Sequence, residues 1–389
     1  MDSLDNLKSG GRSTLNDTLT IILLFVLWRG LLFAFNFAGG AMMNEHYPNY
    51  DKDYQAFHDN RFWDGWARWD SGWYMRIAER GYYIEGRQSN VAFFPLFPYA
   101  AKAVGKVVGS HWAGGLVVSN LSLLFSLFFL LGIARRYLDP DGSRRFLIYL
   151  LIFPSSFFFS AYYTEGLFLL TTSASFYFYL SEKFLLCGVF GSLAAMTRST
   201  GVALFVAYLI GYLWKKRFSI AQMSPAFLWI LLIPCGVGVF MWILWKDVGD
   251  PLAFMKYQSA WGRGFVFPLT TYINAFREIN WSFPLDPPYF PNMHNLLNLI
   301  SSVFFLILPF FLFGKCDAAL PVYSLLLVLI PLSSGSMLSM VRFEVVAFPT
   351  FLVLARMGEN RSVDRFLVSL FAIFLGLYSI LFAKWFWAG

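Results

Sequence analysis

The sequence predicts an all-α polytopic membrane protein, and its composition is the first reason. Of the 389 residues, 58% are hydrophobic and only 14% are charged, whereas soluble globular domains carry roughly 25% charged residues. The mean hydropathy is +0.56, and a soluble protein would lack the polar surface needed to cover so apolar a chain. The second reason is that the hydrophobic residues form repeated runs suited to helices in hydrocarbon. We therefore predict one integral-membrane domain over residues 1–389.

Eleven apolar segments are predicted to be transmembrane helices. The first covers residues 18–40 and contains Arg29, a charge at a depth where it needs a partner or a function. Several later segments are close to the shortest length that crosses about 30 Å of hydrocarbon. These later segments cover residues 111–134, 146–161, 166–181, 184–197, 202–214, 227–245, 296–313, 318–333, 341–356 and 366–386.

Two long polar regions, residues 41–110 and 246–295, interrupt the apolar pattern. Lys and Arg gather in the short loops, which by the positive-inside rule lie in the cytoplasm together with the N-terminus. Residues 93–109 look amphipathic and interfacial, since counting them as a span would move the basic loop RRYLDPDGSRR (135–145) outside. Both long polar regions then share the outer face, where we expect the functional residues.

The composition and the motifs exclude several classes of function. The net charge of +7 fits basic residues that anchor helices to anionic lipid headgroups, and no nucleic-acid-binding motif accompanies it. The three cysteines form no CxxC pair and the four histidines form no ligand pair, so no disulfide framework or metal site is expected. No glycine-rich nucleotide loop precedes a helix. The polar, acidic N-terminal stretch is not typical of a cleavable signal peptide, so the first span is expected to remain as an anchor.

The stretch RWDSGWYMRIAERGYY, residues 68–83, places Asp70 between two tryptophans. If residues 62–77 form one helix, Phe62, Trp69, Trp73 and Ile77 lie within about 80° on one face, with Asp70 beside them. A carboxylate against apolar rings must be hydrogen-bonded or used in chemistry. Alternatively, Asp70 is the N-cap of an interfacial helix whose rings form an aromatic belt. The residues alone leave both interpretations open.

Five motifs in order resemble the PIG-V mannosyltransferase family. RWDSGWYMRIAERGY is followed by NVAFFPLFP (90–98), and together they are similar to the family's first outer-loop pattern. FPSSFFFSAYYTEGLFLL (153–170), AAMTRSTG (194–201) and GDPLAFMKYQSAWGR (249–263) are similar to three later family segments. The resemblance extends over about two thirds of the chain, and its specificity comes from the order of the motifs.

The resemblance implies a GT-C fold, the architecture of multi-span glycosyltransferases with an essential acid in the first outer loop. It implies transfer of mannose, with inversion, from polyprenyl-phosphate mannose to a hydroxyl of a glycolipid or lipid-linked glycan. Asp70 occupies the position of that acid and is the expected general base. The expected partners are this lipid-linked donor, the acceptor and membrane lipids, with no nucleic acid, no metal and no other cofactor.

The implied donor requires side chains that stabilise negative charge on a leaving phosphate. The candidates are Arg198 and Arg342, which lie at the outer ends of predicted spans, and Arg263 in the second outer region. Each also fits an arginine that reaches the membrane interface. Glu165 is expected to orient the acceptor or pair with an arginine, or simply to begin a helix. The remaining candidate substrate-binding residues are Arg68, Trp69, Trp73, Gln258 and Trp261.

Three other interpretations compete with this one, and the simplest is a non-catalytic subunit of a membrane complex. The same fold can use another polyprenyl-phosphate sugar, because nothing in the sequence fixes the epimer. A lipid or glycolipid transporter would need ionisable residues deep within several spans, and the sequence offers chiefly Arg29. The short chain favours a prokaryotic inner membrane, with the N-terminus in the cytoplasm and the active site outside.

Overall fold

A computed structural model describes residues 2–46, 61–86, 89–219, 222, 224–279 and 289–388. All regular secondary structure in these ranges is helical. Parts of both predicted outer regions, residues 47–60, 87–88 and 280–288, lie outside the described residues. The α-helices are α1 (Asp2–Met42), α2 (Arg61–Asp64), α3 (Ser71–Arg80), α4 (Leu96–Val108), α5 (His111–Ala134), α6 (Pro140–Ile152), α7 (Glu165–Leu180), α8 (Phe184–Thr197), α9 (Ala203–Lys215), α10 (Leu232–Val248), α11 (Ala253–Lys256), α12 (Pro268–Glu278), α13 (Tyr289–Ile307), α14 (Ala319–Leu332), α15 (Met340–Glu344), α16 (Thr350–Met357) and α17 (Arg361–Ala383).

Five helical segments of the described chain are long and apolar enough to cross a membrane. They are Asn16–Met42, His111–Ala134, Pro225–Val248, His294–Leu312 and Arg361–Ala383. Three shorter apolar helices, Phe184–Thr197, Ser199–Lys215 and Ala319–Leu332, also fall on predicted spans. The structure therefore fits a polytopic membrane protein, while the count of eleven spans stays a prediction.

Two predicted spans are broken by proline and are not continuous helices. In segment 146–161, α6 ends at Ile152, and Phe153 is extended with φ −57° and ψ 141°. The next residue is Pro154, and a proline disfavours helical geometry in the residue before it. In segment 341–356, α15 ends at Glu344 and α16 begins only after Pro349. Each break places polar backbone inside the protein.

Within the amphipathic segment 93–109, residues Leu96–Val108 form the short helix α4, and the interfacial position stays a prediction. Its buried residues include Phe97, Ala101 and Gly105, and this face packs against α5. Contact is close, because a Cβ on Gly114 of α5 would lie 2.4 Å from the carbonyl oxygen of Ala101. The pair α4–α5 therefore forms a rigid support on one side of the first outer region.

The core of the bundle is centred on α7. This helix packs between α5 and α8, while α1 packs along α17 and α9 along α14. The Lys384 carbonyl, just after α17, accepts from the His46 N–H over 2.9 Å, which brings the residues that follow α17 to the first outer region.

Candidate functional site

A cavity of about 690 Å³ lies where the two outer regions meet. Its walls come from α3, the turn at residues 92–94, the residues after α8, residues 258–263, residues 338–343 and the segment after α17. Eight of the ten predicted site residues line it, namely Trp69, Asp70, Trp73, Arg198, Gln258, Trp261, Arg263 and Arg342. Arg68 and Glu165 do not line it.

A continuous chain of charged hydrogen bonds runs from the cavity wall into the protein. Arg342 Nη1 donates to Asp70 Oδ2 over 2.8 Å, and Arg342 Nε donates to Glu165 Oε1. The same Glu165 oxygen accepts from Arg198 Nη1 over 2.8 Å. Two carboxylates and two guanidinium groups thus balance one another, as buried charges require.

Arg342 is aimed into this network by the backbone around α15. Ser339, just before the helix, has a left-handed φ of 72°. The Val341 N–H donates to Asn298 Oδ1 over 3.1 Å, and the Val341 carbonyl accepts from Ser155 Oγ over 2.8 Å. Ser155 lies in the proline break after α6, so its hydrogen bond to Val341 joins the two broken segments. This contact also holds the neighbouring Arg342 in position.

Glu165 begins α7 and is fully buried. Its Oε2 atom has no hydrogen-bond partner among the described residues, while Oε1 accepts from both arginines. A helix N-terminus favours a negative charge. Glu165 therefore both begins a helix and pairs with arginines, so these two expectations are compatible. Glu165 lies behind the cavity wall and holds Arg198 and Arg342 in place.

Asp70 occupies the N-cap position of α3, but its side chain forms no capping hydrogen bond. The backbone is fixed instead, because the Asp70 N–H donates to Tyr163 Oη over 3.2 Å and that hydroxyl donates to the Arg68 carbonyl over 3.0 Å. The carboxylate faces the cavity with one oxygen on Arg342. In the part of the chain that the structure describes, no hydrogen bond reaches Oδ1.

The segment 62–77 is not one helix, so that hypothesis was wrong. α2 ends at Asp64, α3 begins at Ser71, and Trp69 between them has a left-handed φ of 55°. Tertiary contacts stabilise this turn: Tyr162 N–H donates to the Trp66 carbonyl, and Ser71 Oγ donates to the Tyr162 carbonyl. The break presents Trp69 and Asp70 to the cavity together.

Trp69 packs against tryptophans that follow α17. Its ring centroid lies 5.8 Å from that of Trp385 and 5.6 Å from that of Trp387. Its Nε1 donates to the Phe386 carbonyl over 3.3 Å. Trp387 lines the cavity, and sequence reasoning missed it. The aromatic run KWFWA (384–388) was the available signal.

A second aromatic group closes the opposite wall. Trp73 and Phe93 stack with centroids 5.9 Å apart, and Trp261 meets both rings edge-on at 6.0 and 5.6 Å. Trp261 belongs to the second outer region and the other two to the first. These three rings therefore join the two regions over the cavity.

Arg263 is the cavity cation with the least compensation. Its guanidinium lies 5.7 Å from the Phe343 ring, on which Arg198 also packs at 4.7 Å. Burial lowers the pKa of Arg263, and the charge of Arg342 lowers it further. Among the described residues Arg263 forms no ion pair. The Asp70 charge opposes this lowering in part, and an anion entering the cavity would stabilise the guanidinium further.

Arg68 is buried outside the cavity and holds the first outer region to the end of α17. Its Nη1 donates to Asp64 Oδ2 over 2.5 Å, and its Nε donates to the Ala383 carbonyl over 3.1 Å. Nη2 lies 3.6 Å from Glu45 Oε1. The structure thus gives Arg68 contacts that position Trp69 and Asp70.

Sequence reasoning also missed Tyr74 and Arg76, which line the cavity on α3. Burial raises the pKa of Tyr74 to about 12, against the opposing effect of the Arg342 charge, so its phenol stays protonated near neutral pH. Arg76 lies 4.8 Å over the Trp73 ring. Tyr74 is four residues after Asp70, and this spacing of one helical turn was the signal available.

No group of three or more His, Cys, Asp or Glu side chains within the described ranges is placed to hold a metal ion. The expectation that the reaction needs no metal stays a prediction.

The family model described as mannosyltransferase (PIG-V) matches residues 15–227, more than half of the chain. The matched range includes Asp70, Glu165 and Arg198, while Arg263 and Arg342 lie beyond it. No curated protein matches the chain significantly.

Proposed function

The chain belongs to the PIG-V mannosyltransferase family and is a membrane mannosyltransferase, and we propose that its donor is polyprenyl-phosphate mannose. The acceptor is a hydroxyl group of a glycolipid or a lipid-linked glycan. In this proposal the cavity faces the extracytoplasmic side of a prokaryotic plasma membrane, and the basic short loops, typical of the cytoplasmic side, support that orientation. Neither a metal nor another cofactor takes part.

The observation that carries this proposal is the charge arrangement of the cavity. Asp70, Arg342, Glu165 and Arg198 balance one another, while Arg263 adds a positive charge without a partner in the described chain. A polyprenyl-phosphate sugar carries one negative charge on its phosphodiester. It gains another when the sugar leaves, and prearranged guanidinium groups in a dry site stabilise such developing charge. Arg263 and Arg198 are the donors to that phosphate.

Asp70 is the general base of the proposed reaction. Its Oδ2 is held by Arg342, and Oδ1 is left for the acceptor hydroxyl. The acceptor oxygen attacks C1 of mannose from the face opposite the phosphate, and the C1–O bond to the phosphate breaks with its electron pair. The acceptor proton moves to Asp70, and polyprenyl phosphate leaves. A base within hydrogen-bond reach contributes about 10²–10⁴-fold to such a step.

The aromatic walls fit a sugar between donor and acceptor. Indole and phenyl faces pack against the apolar face of a pyranose ring, and Trp69 and Trp73 stand on either side of Asp70 in the chain. Gln258 lines the same cavity and supplies amide groups for sugar hydroxyls.

The test compares three proteins purified in detergent. Each is incubated with polyprenyl-phosphate [³H]mannose and a lipid extract from the host, and radiolabelled acceptor is counted. Asp70→Asn is expected to lose transfer by about a hundredfold or more, because the amide cannot accept the proton. Asp141→Asn is the matched control, since Asp141 is exposed in the first turn of α6 and does not line the cavity.

The outcomes separate the parts of the proposal. Equal transfer by wild type and Asp70→Asn would remove Asp70 as the base. Transfer by the wild type from another polyprenyl-phosphate sugar, but not from the mannose donor, would replace the sugar. Size-exclusion profiles identical to wild type establish that each variant is folded.

A further inference from the structure

An exposed apolar surface begins beside the cavity, between Arg263 and the end of α12. Phe265 is 93% exposed and Phe267 70% exposed, and neither belongs to a predicted span. They are followed by exposed apolar residues on α12, Leu269, Ile273 and Phe276. We name Phe265, Phe267, Leu269, Ile273 and Phe276 the α12 surface.

The segment that carries this surface is anchored to the protein. The Gly264 and Val266 N–H groups donate to the carbonyls of Ser334 and Ser333 over 2.9 and 3.0 Å. Thr271 Oγ1 donates to the Leu332 carbonyl over 2.7 Å, and Thr271 is buried. The backbone is thus held against the end of α14 while the apolar side chains point away from it.

Within the α12 surface, the apolar residues that lie on α12 follow a regular pattern. Leu269, Ile273 and Phe276 follow the spacing of one helix face, and Thr271 and Ala275 occupy the opposite, buried face. α12 has eleven residues and is too short to cross a membrane. A contiguous apolar face of this kind marks contact with lipid or with an apolar ligand.

The surface is continuous with the cavity. Arg263 lines the cavity and stands two residues before Phe265, a separation of at most about 7 Å along the backbone. On the other side, Leu338 lines the cavity and is itself exposed, four residues after Ser334. An apolar chain attached to an anion at Arg263 therefore meets apolar side chains as soon as it leaves the cavity.

We propose that the α12 surface binds the isoprenoid chain of the lipid-linked donor as that chain passes from the cavity into the membrane. This inference rests on the proposed function, which supplies a phosphate for Arg263 and an isoprenoid tail attached to it. Branched isoprene units bury apolar area against aromatic and aliphatic side chains without needing a hydrogen bond. The α12 surface thereby selects donors by the length of their tail.

The test uses two mannose donors that differ only in the tail, undecaprenyl-phosphate mannose and geranyl-phosphate mannose. In Phe265→Ser/Phe267→Ser, the KM for the long donor is expected to rise about tenfold relative to the KM for the short donor, a loss of ~1.4 kcal/mol. A second pair, Ile273→Ser/Phe276→Ser, is expected to shift the ratio of KM values in the same direction. It also tests the proposal if the first pair does not fold.

The matched control is Phe310→Ser/Phe311→Ser. These phenylalanines are exposed to a similar degree, but they lie at the far end of the segment His294–Leu312 from Asn298, whose Oδ1 accepts from the Val341 N–H beside the cavity residue Arg342. The control is expected to keep the wild-type ratio. An unchanged ratio in both test pairs, or an equal shift in the control, would overturn the proposal.

A second measurement does not depend on sugar transfer. A diazirine-bearing polyprenyl phosphate is photo-crosslinked to wild-type protein, and the labelled peptide is identified by mass spectrometry. Label within residues 264–279 supports the α12 surface even if the mannose donor is not turned over, in which case only the proposed sugar fails. Label confined to other helices overturns the inference while leaving the transferase activity unaffected.

Discussion

At the scale of single residues, the cavity arginines differ in how far their charges are already compensated. Arg342 bonds to Asp70 and Glu165, and Arg198 shares Glu165 with it. A planar guanidinium can serve two carboxylates at once, which an ammonium group does less well. Arg263 forms no ion pair in the described chain, so it is the arginine whose charge is available to a substrate.

Arg263→Gln is expected to separate ligand binding from stability. Loss of a charge-assisted contact to the donor phosphate should raise the donor KM and the inhibition constant of polyprenyl phosphate by about tenfold or more. Burial and the Arg342 charge lower the pKa of Arg263 more than the Asp70 charge raises it, so the ligand-free protein stabilises the charged form less than water does. The variant should therefore unfold at the wild-type temperature or slightly above it. Inhibition assays and thermal unfolding in detergent measure the two effects.

Arg277→Gln is the control for that experiment, because Arg277 is exposed at the end of α12 and does not line the cavity. It should leave both constants unchanged. If Arg263→Gln kept the wild-type inhibition constant, the donor phosphate would have to bind elsewhere in the cavity.

At the scale of secondary structure, several key side chains of the site lie at breaks between helices and not within long helices. The left-handed Trp69 turns Asp70 toward the cavity, and the break before α16 leaves Arg342 on the short helix α15. The residues after α17 add Trp387 by packing on Trp69. Each break is stabilised by contacts with a distant part of the chain.

Trp387→Ala is expected to lower kcat/KM about tenfold, because it removes both a ring from the cavity wall and the edge-on partner of Trp69. Trp387→Phe should retain most of the activity, since it keeps an aromatic ring. Trp245→Ala, which removes an exposed tryptophan from α10, is the matched control. Steady-state kinetics of the three variants provide the measurement. Equal activity in Trp387→Ala and wild type would show that this ring has no part in substrate binding.

Local patterns in the sequence predicted whole helices well where the helix ends are marked by the chain itself. The predicted span 111–134 coincides with α5, whose start is capped by Ser110, and 184–197 coincides with α8. Segments 146–161 and 341–356, which are not continuous helices, contain Pro154 and Pro349 inside apolar runs, where hydropathy does not reveal the break. Asp70 was found as a carboxylate between aromatic rings, whereas Arg198 and Arg342 were candidates because the donor phosphate implied by the family resemblance requires cations near the outer face. Trp387 and Tyr163 were missed because their roles depend on contacts across the fold.

At the scale of the whole molecule, the cavity depends on contacts between the ends of the chain. Asp70 and Arg342 are separated by 272 residues, and Arg68 and the Ala383 carbonyl by 315. The family match ends at residue 227, before Arg263 and Arg342. The matched part therefore contains the proposed base, Asp70. The rest of the chain contributes the arginines Arg263 and Arg342 to the same cavity.

The orientation of this assembly can be tested with single cysteines. Cys187, Cys235 and Cys316 are replaced by serine or alanine, and one cysteine is returned as Ser259→Cys or Ser362→Cys. Both serines are exposed; Ser259 lies two residues before the cavity residue Trp261, and Ser362 lies in the first turn of α17 next to Arg361. The positive-inside rule predicts that a membrane-impermeant maleimide labels Ser259→Cys in intact cells, and Ser362→Cys only after permeabilisation.

The opposite labelling pattern would put Asp70, Arg263 and the aromatic walls on the cytoplasmic side, because the cavity brings both outer regions together as one site. A cytoplasmic cavity would have direct access to nucleotide sugars, and the reason for a lipid-carried donor would disappear. The labelling result thus decides more than topology. A lipid carrier is needed only where soluble activated sugars are absent. An external cavity would therefore support a polyprenyl-phosphate donor, and a cytoplasmic cavity would argue against it.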